Sequence, residues 1–187
     1  MEALSDRLVA AGRELLDQQG ISAVTIREVA RKCEVSHGAP RRHFPTLAAL
    51  LAAIAATCIA DLERHIDEAG EGVRQGADAY IEFARTNPNA FELISRHDLL
   101  NASGRNFRET SLPVLSRWME QYLLEHPSEG TTGALSAWVA VQGIATLESR
   151  RAFEVIDANL DELLDHILTS NIVEDRHITG EKSVHAP

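Results

Sequence analysis

Apolar residues recur at intervals of three and four along most of the chain, and no stretch shows the sustained alternation of a half-buried strand. The first run predicts a helix over residues 5–19, with Leu8, Val9, Gly12, Leu15 and Leu16 on one face and Gly20 placed to end it. After a short connection, Thr25-Ile26-Arg27-Glu28 has the form of a capping box, in which Thr25 caps free amides and Glu28 reaches back to the Thr25 amide. The helix it opens is expected to bury Ile26, Val29, Ala30 and Cys33. Beyond a tight turn at Glu34-Val35, Ser36 is the expected N-cap of a short third helix. Pro45 closes that helix, since the residue before a proline is pushed away from helical ψ. Thr46 then caps a long fourth helix reaching about His65, with Leu47, Leu50, Leu51, Ile54, Cys58 and Leu62 inward.

Gly70, Gly72 and Gly76 mark a weak stretch, which places a boundary within 66–76. Further helices are predicted at about 76–86, 88–99, 107–125, 131–152 and 157–171. Breaks fall at Asn87-Pro88, at residues 101–104 and at residues 126–128. From about Val173 the chain is polar with little periodicity and is expected to be disordered. The fold class is all-α.

Composition narrows the picture. Of 187 residues, 44% are apolar and 25% charged, the balance of a folded soluble protein with room for one domain or a small head on a larger body. No segment offers the roughly 18 uncharged apolar residues of a bilayer span. The first seven residues lack a basic and then apolar export signal, so the expected compartment is the cytoplasm. Cys33 and Cys58 are too few for a disulfide framework. Buried thiols and a redox-sensing pair are the two readings. Neither a metal nor a cofactor is expected.

Net charge is −10, but it is unevenly spread. Residues 1–60 carry 7 bases and 6 acids, whereas residues 61–187 carry 11 and 22. Within 24–44, five bases (Arg27, Arg31, Lys32, Arg41, Arg42) face two acids (Glu28, Glu34). A locally basic patch on an acidic protein can still meet phosphates, because distant charges are screened beyond about 8–10 Å.

Two short helices separated by a tight turn and preceded by a packing helix form the plan of a helix-turn-helix. The third helix, Ser36-His37-Gly38-Ala39-Pro40-Arg41-Arg42-His43-Phe44, combines small residues near its start with exposed donors and a buried anchor in Phe44. That combination suits entry into a major groove.

Residues 5–62 resemble the DNA-binding head of the TetR family of bacterial regulators. Gly20, Thr25, Arg27, Val35-Ser36, Gly38, His43-Phe44 and Leu50 match the family pattern at the right spacings. Three positions depart from it. Arg41 stands where the family usually has a phosphate-contacting tyrosine, Pro40 sits early in the recognition helix, and the frequent lysine near the start of the fourth helix is missing from Thr46-Leu47-Ala48-Ala49. The resemblance implies phosphate contacts from Thr25, Arg41 and His43. It implies base-edge contacts from Arg27, His37 and Arg42, with Ser36 and Gly38 shaping the close approach. Thr25 acting only as a cap, and Arg42 pointing to solvent, stay open as alternatives; Arg31 and Lys32 read as solvated charges.

Residues 137–148 resemble a C-terminal domain of one TetR branch, with Gln142 where that branch commonly has a histidine. The resemblance implies a helix-turn-helix DNA-binding domain at 1–65, joined through the long fourth helix to a helical effector-binding and dimerisation domain at 66–172, with a polar tail at 173–187. It also implies that the last two long helices pair across a homodimer. Gly143, Leu147, Leu160, Leu163, Leu164 and Ile167 are the expected interface residues; the alternative is that this stripe packs on its own subunit. An effector pocket is expected among the middle helices, walled by Tyr80, Phe83, Phe91, Phe107, Trp118, Tyr122, Trp138 and Gln142, with Leu93, Met119, Arg96, His97 and Asn101 as further candidates. The implied function is a ligand-responsive repressor binding a palindromic double-stranded operator as a homodimer, with an unidentified small-molecule effector and no membrane partner.

Two other readings compete with this one. An enzyme is disfavoured because the sequence holds no His-Glu-x-x-His, no Gly-x-Ser-x-Gly and no Walker loop. A protein-binding helical adaptor would have no need of the pattern from Thr25 to Phe44.

Overall fold

Helix α1 (Leu4–Gln19) ends as its glycine predicts: Gly20 adopts φ +80°, and its amide donates to the Leu16 carbonyl at 2.8 Å. In the computed structural model, residues 3–101, 107–155 and 159–169 are described, and all regular structure among them is helical. The expected tail at 173–187 lies outside the described residues. Helices α2 (Ile26–Lys32) and α3 (Leu47–Ala69) each open on a threonine. The Thr25 and Thr46 hydroxyl oxygens accept from the amides of Glu28 and Ala49, both at 3.1 Å.

Only half of the expected capping box forms. The Glu28 carboxylate turns to Arg31 instead, accepting from its Nε at 2.9 Å. A charge-assisted bond between residues three apart on one helix face takes the place of the weaker bond to the Thr25 amide.

The third helix is shorter than the sequence suggests. Ser36 makes no side-chain cap; its carbonyl accepts from the Ala39 amide at 2.9 Å, and a single 3₁₀ turn follows at Pro40–Arg42. Pro40 explains this. It has no N–H to donate to Ser36, so the segment tightens into three-residue steps, such as His43 N–H to Pro40 O at 3.0 Å.

Helix α3 runs four residues beyond the expected stop at His65, until Gly70 with φ +95° ends it. It is the central post of the molecule, touching α1 and, in the rest of the chain, α4 (Val73–Thr86), α5 (Pro88–Ser95), α6 (His97–Asn101) and α7 (Phe107–Glu125). Helix α8 (Gly130–Ser149) packs along α4 and α7, and α9 (Leu160–Thr169) lies on α8 and α4. The single helix expected over 88–99 is two. At Arg96 the backbone turns (ψ 64°), and the guanidinium forks onto the Asp98 carboxylate, both bonds 2.8 Å. Residues two apart do not face each other on an α-helix, so this pair belongs to a bend. Helix α8 stops at Ser149 rather than 152, followed by Arg151 at φ +54°.

Small residues let α3 sit close to its neighbours. Ala49, Ala52 and Ala55 are buried beside Leu50, Leu51, Ile54, Cys58, Ile59 and Leu62. Across from them, a Cβ built on Gly12 would lie 2.5 Å from Ile54 Cδ1. No helix among the described residues is long and apolar enough to cross a membrane.

Candidate functional site

Helix α1 and the tight turn hold the short recognition segment in place. Arg7 donates from Nη2 to the Cys33 carbonyl at 3.0 Å, and the Cys33 thiol returns a bond to the Arg7 carbonyl at 3.4 Å. Glu34 takes a left-handed φ of +56°. The Val35 amide donates to the Ala30 carbonyl at 3.0 Å, which folds the chain back under α2. Phe44 and Pro40 are buried, so the segment between them is anchored from beneath.

On that anchor stand the residues expected to meet DNA. Arg27, Ser36, His37, Gly38, Arg41, Arg42 and His43 are exposed, and Thr25 is half-buried by its capping role. Arg27, Arg41, Arg42, His37 and His43 have no hydrogen-bonding or ionic partner among the described residues. Elsewhere the cations are engaged: Arg13 with Asp17 and Asp61, Arg31 with Glu28, Lys32 with Glu14, Arg64 with Asp61, Arg74 with Asp78 and Asp161, Arg117 with Asp67. Among the described arginines outside this segment, only Arg150 is likewise unpartnered. Arg31 and Lys32, expected as solvated charges, are ion-paired with Glu28 and Glu14.

The cysteines are free and buried. Burial pushes the Cys58 thiol up to about 12 and raises that of Cys33 as well.

Two cavities adjoin one another between the middle helices. One, of about 470 Å³, lies among α3, α4, α7 and α8; its walls include Tyr80, Trp118 and Trp138 together with Glu63, Asp67, Glu71, Arg117 and Gln121. The second, of about 510 Å³, shares Tyr80, Val114 and Trp138 with the first and adds His97, Asn101, Ser111 and Gln142. Tyr80 donates its hydroxyl to Gln142 Oε1 at 2.5 Å, and burial raises its pKa. Its ring meets Phe91 edge-on at 5.5 Å and Trp138 at 5.0 Å.

Of the pocket wall expected from sequence, Tyr80, Trp118, Trp138 and Gln142 line these cavities. Phe83, Phe91 and Tyr122 do not; they are buried in the core, where Phe91 backs the Tyr80 ring and the Tyr122 hydroxyl bonds Glu129 Oε2 at 2.6 Å. Their size and spacing suit packing equally well, so pattern alone could not separate the two roles. The side chain of Phe107 lies outside the described residues. Arg96 is held by Asp98 and lines neither cavity. The acids Glu63, Asp67 and Glu71 were missed, although their spacing of four was readable; the boundary drawn near 66 split them.

Helix α8 carries an apolar face with no partner among the described residues. Leu135, Val139 and Leu147 are exposed at steps of four and eight, and Gly143 fills the gap in the row with open space beyond it. The α9 stripe divides. Leu164 and Leu168 are buried in their own subunit, which corrects the expectation that Leu164 faces a partner, while Leu160, Leu163 and Ile167 are half-buried.

Comparison with known proteins covers both halves. Residues 8–54 match the model of bacterial regulatory proteins of the tetR family, and residues 73–170 match that of a tetracyclin repressor-like C-terminal domain. A protein of unknown function from Rhodococcus sp. RHA1 shares 25% identity, with a TM-score of 0.70 over 91% of this chain and 94% of that one. BioQ, solved with its natural double-stranded DNA operator, shares 22% identity with a TM-score of 0.60, covering 90% and 99%. A TetR variant from Acinetobacter baumannii AYE in complex with minocycline shares 21%, with a TM-score of 0.61, covering 90% and 96%. No curated protein matches the chain. With the C-terminal model alone spanning more than half of its length, and the helix-turn-helix model covering the head, the chain belongs to the TetR family of bacterial transcriptional regulators.

Proposed function

We propose that this regulator is a ligand-responsive repressor that binds a palindromic operator as a homodimer in the cytoplasm. The observation that carries the reading is the segregation of unpaired cations. Arg27, Arg41 and Arg42 stand exposed without partners on the helix-turn-helix, while most other described arginines are already neutralised by carboxylates. Polyanionic DNA is the natural complement to such a surface, and the acidic remainder faces away from it. In this reading Thr25, Arg41 and His43 hold phosphates, and Arg27, His37 and Arg42 read base edges. Gly38 leaves room for the backbone to approach, a Cβ there meeting nothing within 4 Å. The domain division follows the same logic, with residues 1–65 as the reading head and 66–172 as the sensing and pairing body.

A second copy of the chain is the proposed cover for the α8 face. Burying what remains exposed of each leucine or valine there contributes about 1 kcal/mol, and a twofold axis would set two heads on successive half-sites. The cavities around Tyr80 and Trp138 are the proposed effector site, and occupancy would favour the head spacing that misses adjacent grooves. BioQ, with its operator, and the minocycline-bound TetR variant supply precedents on the same fold.

The test is a gel-shift and footprint with the DNA upstream of the chain's own gene at moderate salt. A protected palindrome supports the reading. Equal affinity for that fragment and for random DNA overturns it.

A further inference from the structure

The 470 Å³ cavity combines two properties that together specify a ligand class. Its apolar part is aromatic: Trp118 and Trp138 stand 5.4 Å apart between ring centroids, with Tyr80 5.0 Å from Trp138. The polar handles of two of these rings are already used. Trp118 donates its indole N–H to the Val73 carbonyl at 3.3 Å, and Tyr80 donates to Gln142. These two rings therefore offer a ligand ring surface rather than a hydrogen-bond donor. Gly76 makes the arrangement possible, since a Cβ there would crowd Trp118 Cδ1 at 3.2 Å.

The charged part of the same wall is anionic. Glu63, Asp67 and Glu71 line it against a single cation, Arg117, which is ion-paired with Asp67. Glu63 is half-buried and has no hydrogen-bonding or ionic partner among the described residues. Aromatic ring surface attracts cations through its quadrupole, and a partly desolvated carboxylate with no counter-ion does so through its charge. An anionic ligand would meet both with the wrong sign.

We infer that this cavity takes a hydrophobic organic cation, an aryl-substituted quaternary onium or protonated amine, with the charge held between Glu63 and the Trp118–Trp138 pair. The inference deepens the effector reading and rests on it. Its volume falls within the roughly 300–1,000 Å³ of drug-sized sites.

The chain's two tryptophans both line this cavity, so intrinsic fluorescence reports directly on its occupancy. The full-length protein, without DNA, is titrated with tetraphenylphosphonium and with tetraphenylborate, which share a shape and differ in the sign of charge. Saturable quenching by the cation, at least about tenfold tighter than by the anion, is expected, with the preference reduced by high salt. Glu63→Gln should weaken the cation about tenfold or more and leave the anion unchanged. Glu71→Gln, at an exposed position, is the milder companion. Circular dichroism confirms that each variant is folded. Equal affinity for the two ions, no saturable quenching by either, or a folded Glu63→Gln protein that binds the cation like wild type each overturns the assignment. Because no DNA is present, a failure here is distinct from a failure of operator binding. Cation binding that leaves the operator complex intact would retain the site and remove its effector role.

Discussion

The Asn89 side-chain amide donates to the main-chain carbonyl of Asp17 at 3.1 Å, fastening the first turn of α5 to the last turn of α1. The same side chain lies beside Gly20, whose Cβ, if it had one, would sit 3.5 Å from Asn89 Oδ1. Head and body thus meet through a polar clasp as well as through α3. Asn89→Ala should cost about 0.5–1.5 kcal/mol, lowering Tm by roughly 2–4 °C per kcal/mol in scanning calorimetry. An unchanged Tm would show that the clasp contributes nothing.

Arg27 and Arg41 should separate by their response to salt and sequence. Arg27→Ala is expected to lose about 1–3 kcal/mol of operator affinity while random-DNA affinity holds. Arg41→Ala should weaken both and reduce the slope of log K against log salt by about one. Fluorescence anisotropy over a salt series checks both; identical slopes for Arg41→Ala and wild type would remove Arg41 from the phosphate contacts.

The close pass of α1 over α3 predicts a coupled pair. Gly12→Ala places a methyl group 2.5 Å from Ile54 Cδ1 in a fully buried site. Overpacking of this kind costs about 1–3 kcal/mol, against which better helix propensity returns up to about 1 kcal/mol. Ile54→Val removes the clashing carbon. The double variant should therefore be less destabilised than the sum of the singles, by more than about 0.5 kcal/mol in urea titrations. Simple additivity would mean that α1 and α3 stand further apart.

Alkaline pH should expose the buried thiol. Cys58 is held protonated up to about 12 by burial, against an ordinary value of 9.0. Between those values the unfolded chain gives up its proton and the folded chain keeps it. Stability therefore falls as pH rises through this window, by up to about 1.4 kcal/mol per pH unit for this one group. Cys58→Ala should show a shallower decline above pH 9 than wild type. The native thiol should also resist alkylation at neutral pH, and rapid labelling of Cys58 in folded protein would contradict its burial.

The proposed dimer rests on the α8 row, so loss of that row should yield monomers. Val139 is 68% exposed in the single chain, at the middle of the row. Val139→Glu is expected to give a folded monomer by light scattering, with operator affinity reduced by far more than any single DNA-contact variant. A dimer persisting in that variant would move the interface elsewhere.

What the sequence made legible follows from how local each signal is. The threonine caps, the Gly20 stop and most of the apolar faces of α1 to α3 depend on neighbours within a few positions, and they stand where the pattern puts them; Leu47, expected inward, is exposed in the first turn of α3, before the helix reaches its neighbours. The recognition segment differed because one missing N–H, at Pro40, outweighs a favourable run of residues. The split at Arg96 rests on a side-chain fork that no periodicity encodes. Least legible was the cavity. Its aromatics were visible as large residues, but separating Tyr80 and Trp138 from Phe83, Phe91 and Tyr122 requires knowing which side of a helix is left uncovered.

Helix α3 has a mechanical consequence. Its 23 residues run without a break from Leu47, just past the recognition segment, through Asp67 in the cavity wall to Ala69. At about 1.5 Å per residue this is a rod of about 35 Å, and a pivot of about 5° at one end carries the other about 3 Å. In the proposed effector reading, an occupant that nudges Glu63 and Asp67 therefore needs no relay of side chains to reach the duplex. The lever is a single piece, and Gly12 lets α1 bear on it at Ile54, near its recognition-segment end.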